Sequence, residues 1–117
     1  MSVPDPCSFE RLRWAALFSA PIPKLPSPVV RVRLRQALGV SRATVATVLG
    51  VGFSPLVRAE TGRTGRRSRV LGSTGYRRLL GYFSMVLALK DPVLLHRIMT
   101  ANDDEIEEER WLVSKQQ

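Results

Sequence analysis

Between residues 30 and 35 the chain alternates, with Val30, Val32 and Leu34 set against Arg31, Arg33 and Arg35. Alone, that alternation is a strand pattern. Val30, Leu34 and Leu38 also fit a helical stripe at i, i+4 and i+8, so the local pattern is balanced. The segment that follows decides for helix. Ser41 is a good N-cap for a helix running to about Leu49, and Gly50 can take the left-handed conformation that ends one. A second helix is predicted from about Phe53 to Thr61, closed by Gly62. Two helices joined by so tight a turn form a helix-turn-helix.

The side chains fit that arrangement. Val45 and Leu49 face inward on the first helix, and Ala46 is small where the second must pass closely. Gly50 and Val51 make the turn, and Leu56 and Ala59 are the inward positions of the second helix. This leaves Phe53, Ser54, Val57 and Arg58 on its outer face.

Upstream, six of the eight prolines lie in the first 28 residues. Between them a short helix is predicted, with Ser8 as N-cap and Phe9, Leu12, Ala16 and Leu17 on one face. Pro21 to Pro28 then reads as an extended linker, so residues 1–28 form a proline-rich extension outside the core. Downstream, the apolar positions predict helices over about 74–89 and 92–100, the second opened by Asp91 and Pro92. Their apolar surplus suggests either dimerisation or a fuller core. Asn102 and Glu105 resemble a capping box for a last helix bearing Ile106, Trp111 and Leu112. The organisation is therefore an extension over 1–28, a helix-turn-helix domain over 29–90 and a helical, acidic segment over 91–117.

Charge sharpens the picture. The 117 residues carry a net +8, unevenly spread. Residues 1–23 are neutral, residues 24–78 hold twelve bases against the single acid Glu60, and residues 79–117 carry −3. A basic middle of this kind is the footprint of a protein that meets a phosphate backbone. One cysteine, Cys7, excludes an intrachain disulfide, and one histidine, His96, leaves too few N/S ligands for a four-ligand zinc site of that kind. No apolar run approaches the roughly 18 residues of a membrane span, and no secretory signal is expected. A cytoplasmic location is expected.

The text LRQALGVSRATVATVLGVGFSPLVRAETG, within Val29 to Gly62, resembles the lambda-repressor-like helix-turn-helix of Cro and phage repressors, the XRE family. It aligns with that family's pattern without a gap. Ala46, Gly50, the apolar Val45, Leu49, Val51 and Leu56, and the closing Glu60-Thr61-Gly62 fall where the family has their counterparts. The resemblance implies an all-α, five-helix domain, and it implies an internal salt bridge between Arg35 and Glu60. Three features depart from the family: Arg42 stands where glutamine is common, Phe53, Ser54 and Val57 replace polar base readers, and Pro55 enters the first turn.

The resemblance implies a sequence-specific regulator that occupies an operator in double-stranded DNA. A phage or mobile-element repressor without a cofactor is the favoured form, with possible homodimers reading paired half-sites. Phe53, Ser54, Val57 and Arg58 are the base-reading candidates; Arg58 suits guanine, and Phe53 a thymine methyl. Arg31, Arg33, Arg42, Arg63, Arg66, Arg67 and Arg69 are the phosphate-binding candidates. Two alternatives stand beside this one. The first is an antitoxin whose appendage binds a toxin; the second is a nonspecific architectural DNA- or RNA-binding protein. Catalysis is not expected, because His96 has no partner at an informative spacing.

Overall fold

A computed structural model describes residues 5–62, 70–71 and 73–100. Within them the chain is all-helical, with six helices and no strand. They are α1 (Phe9–Phe18), α2 (Pro28–Ala37), α3 (Arg42–Leu49), α4 (Phe53–Thr61), α5 (Thr74–Lys90) and α6 (Pro92–Met99). No described helix is long and apolar enough to cross a membrane. The last predicted helix, with Asn102, Glu105 and the acidic run, lies outside the described residues.

Local chemistry sets most helix starts. Ser8 accepts from the Arg11 amide, Ser41 from Thr44, Ser73 from Tyr76 and Asp91 from Leu94. Each bond satisfies one amide that the first turn leaves without an intrahelical partner. α2 instead follows Ser27 with Pro28 in its first turn, where a missing N–H costs nothing.

The ambiguous segment is helix α2, and its helical period explains where its arginines go. Arg31 and Arg35 are four residues apart and share a face, whereas Arg33 turns to the other side. Val29, Val30 and Leu34 are buried, and so are Arg31 and Arg35.

α5 is the organising element. It packs against α1, α2 and α6, while α2 also packs on α4 and α6, and α3 bridges α1 and α4. Phe83, Leu79 and Leu80 of α5 meet Leu12, Leu34 and Leu56 in one core.

Leu12 shows that the N-terminal segment is not an appendage to this core. α1 buries Leu12, Ala15 and Ala16, whereas Phe9 and Leu17 stay 43% and 57% exposed. The inward stripe is therefore rotated from the expected face of Phe9, Leu12, Ala16 and Leu17. Two adjacent alanines give α1 a thin face that can lie close to its neighbours.

Three polar contacts fasten the same segment. Tyr82 donates its hydroxyl to the Pro6 carbonyl at 2.7 Å, Arg78 donates to the Leu17 carbonyl, and the Ile22 amide donates to the Arg77 carbonyl at 3.0 Å. The extended stretch after α1 passes so close to α5 that a Cβ on Gly81 would stand 2.6 Å from the Ala20 oxygen.

Candidate nucleic-acid interface

α3, its turn and α4 form the unit on which the candidate residues sit. α3 ends at Gly50, whose φ of 67° is the left-handed value that suits glycine. The Val51 amide then donates to the Ala46 carbonyl at 3.0 Å, which closes the turn. Val51 and Gly52 connect directly to α4, whose own end is made by Gly62 at φ 75°.

The inner face of α4 is Leu56, Ala59 and Glu60, all buried. Its outer face carries Phe53 at 53% exposure, with Ser54, Pro55 and Arg58 also exposed and Val57 half-buried. Gly52 supplies no capping side chain, and Pro55 supplies no amide. No side-chain interaction occupies the Arg58 guanidinium among the described residues.

Glu60 sits behind this face at 2% exposure and gathers arginines from two other helices. Arg35 of α2 grips it in a fork, Nε to Oε2 at 2.7 Å and Nη2 to Oε1 at 2.8 Å. Arg35 also donates Nη1 to the Val40 carbonyl at 2.8 Å. Arg42, the first residue of α3, donates Nε to Glu60 Oε1 at 3.0 Å. A fork of two charge-assisted bonds is a strong and directional contact, and it fixes α2 against α4.

Arg31 is a correction to the phosphate set. It is 4% exposed and donates Nη1 to the Pro26 carbonyl at 2.7 Å and Nη2 to the Ala59 carbonyl at 2.8 Å. Its guanidinium is committed to backbone oxygens inside the protein, where no phosphate reaches it. Burial lowers its pKa. The Tyr76 hydroxyl lies in its field, without the geometry of a hydrogen bond between them. Burial pushes that tyrosine up to about 12.

The other phosphate candidates divide. Arg42 stands beside α4, half-buried, and among the described residues only its Nε is engaged. Arg33 lies on the far side of α2 from Arg31 and Arg35, in a depression shared with Leu94, Arg97 and Ile98. The structure does not bring it to α4. Arg63, Arg66, Arg67 and Arg69 lie outside the described residues.

Two links escaped the sequence pattern. One is Arg42 to Glu60 across 18 positions; its only signal is that a single acid stands among twelve bases. The other is the inward turn of Arg31, which its spacing of four from Arg35 signals once α2 is helical. Elsewhere, burial raises the Cys7 thiol, which makes it a poor nucleophile. Among the described residues no three metal-ligating side chains gather.

Comparison of the chain with protein-family models, with curated proteins and with solved structures finds no match to any of the three.

Proposed function

We propose that this protein is a sequence-specific DNA-binding regulator of the lambda-repressor-like class, acting as a phage or mobile-element repressor. The observation that carries the reading is the outer face of α4. It holds Phe53, Ser54 and Arg58 in solvent while Glu60, on the inner face, is locked to α2. In this reading α4 enters the major groove and α3 crosses the backbone. Arg58 offers a bidentate contact to guanine, with Ser54 and Val57 beside it. Arg42 contacts phosphate with its remaining donors, and the arginines of residues 63–69 add further phosphate contacts. No cofactor takes part.

A second copy completes the site. Met85 and Leu89 of α5 and Val93 of α6 are 50%, 82% and 64% exposed, an apolar surface of the kind that dimers bury. Two protomers then read half-sites about one helical turn apart.

The test compares binding to a selected operator and to random DNA for wild type and Arg58→Ala. The regulator reading expects Arg58→Ala to lose most of the discrimination. A nonspecific binder loses only one salt-sensitive contact.

One observation favours a second reading, the antitoxin. Trp14 and Phe18 of α1 meet with their rings tilted by 46°, at 6.1 Å between centres, and are 47% and 68% exposed. Exposed aromatics of this kind suit a protein partner. That reading expects Trp14→Ala to abolish a partner complex while DNA binding persists.

A further inference from the structure

The leading turn of α4 is hydrocarbon where a DNA reader usually offers polar side chains. Phe53 opens the helix with more than half its surface in water, although a phenylalanine gains most when it is buried. Pro55 is exposed two residues later, and Val57 is half-buried one turn on. The same turn is poor in hydrogen-bonding groups. Gly52 has no side chain, and Pro55 has no N–H to give to an anion. A Cβ on Gly52 would stand 3.2 Å from the Pro55 ring, so the two residues are already in close apposition. Only Ser54 and Arg58 offer polar side chains on this face.

The major groove presents one apolar feature among its donors and acceptors, the C5-methyl group of thymine. Phosphates, base amines and carbonyls all require polar partners that Phe53 and Pro55 cannot supply. Arg58 supplies a positive charge one turn along α4, while Phe53 and Pro55 at its start offer only apolar surface.

We propose that the start of α4 reads the 5-methyl groups of pyrimidines, with Phe53 as the contacting residue, beside a guanine read by Arg58. The inference rests on the regulator reading and adds the class of base step that it selects. The protein's operator therefore carries thymine at the positions facing Phe53. 5-Methylcytosine there substitutes for thymine better than unmodified cytosine does.

The test uses the full chain and the DNA sequence it selects from a random pool. Each thymine in turn is replaced by uracil, which removes the methyl and leaves the pairing and O4 intact. One or two positions should lose about three- to fivefold in affinity, the value of one buried methyl group. Phe53→Ala should bind the thymine and uracil forms equally. Phe53 is exposed, so the variant should keep its helical content, which circular dichroism checks. Uracil tolerated at every position overturns the inference and leaves the regulator reading standing, as does a uracil penalty unchanged in Phe53→Ala. A pool with no enriched sequence overturns both.

Discussion

Arg35 and Glu60 meet across 25 positions of chain in a two-bond fork, one bond at 2.7 Å and the other at 2.8 Å, with both side chains buried. Such a pair is a poor source of net stability, because bringing both charges out of water offsets much of their attraction. Breaking it is another matter. Glu60→Ala leaves two guanidiniums, those of Arg35 and Arg42, without their carboxylate. It should destabilise the fold by about 3–5 kcal/mol, measured by urea denaturation. A loss below about 1 kcal/mol would show that the fork does not hold α2 to α4.

Arg42 should separate stability from binding. Its pair with Glu60 is 30% exposed on the arginine side, so Arg42→Ala should cost about 1 kcal/mol or less in stability. Its effect on DNA should be larger and independent of sequence. The slope of log affinity against log salt should fall in magnitude by about 0.9, one phosphate contact. An unchanged slope would remove Arg42 from the interface.

Tyr76 gives a pH dependence with a defined sign. An unfolded tyrosine ionises near 10, whereas burial holds the folded one to about 12. Its contribution is complete below pH 10 and is lost as pH rises from about 10 to 12, because the unfolded chain gives up this proton first. The loss should approach ~1.4 kcal/mol per pH unit across that window. Tyr82 and Cys7 are also raised by burial and add losses of the same sign. Tyr76→Phe isolates the Tyr76 share. Among the described residues its hydroxyl has no hydrogen-bond partner, so the variant should match or exceed wild-type stability at pH 7 and decline less steeply above pH 10.

Gly81→Ala tests the docking of the N-terminal segment. In an isolated helix this change stabilises by about 1 kcal/mol. Here the new methyl would stand 2.6 Å from the Ala20 oxygen and 3.3 Å from the Ile22 nitrogen. The variant should instead lose about 1–3 kcal/mol, the cost of overpacking, in thermal or urea unfolding. A stabilised variant would mean that residues 20–22 do not lie against α5 in solution.

Much of the helical plan was legible because it is written in local chemistry. Ser8, Ser41, Asp91 and the glycines at 50 and 62 mark helix ends through their own backbone preferences. The outward face of α4 was legible too, since Leu56 and Ala59 define the opposite side. The role of α1 was not. Its burial depends on alanines meeting α5, some 60 residues later in the chain, and a proline-rich flank carries no trace of that contact. Arg31 misled for a related reason. An arginine reads as solvent-facing until the helical period places it beside Arg35 and under the Ala59 carbonyl. The Arg42 contact to Glu60 depends on how α3 lies against α4, which no spacing within either helix encodes.

Selection from a random DNA pool at two salt concentrations measures whether α4 reads DNA sequence. One motif should be enriched at both salts, retained by Arg42→Ala with weaker binding and degraded by Arg58→Ala. Binding that falls steeply with salt and enriches no motif at either concentration would contradict sequence reading by α4.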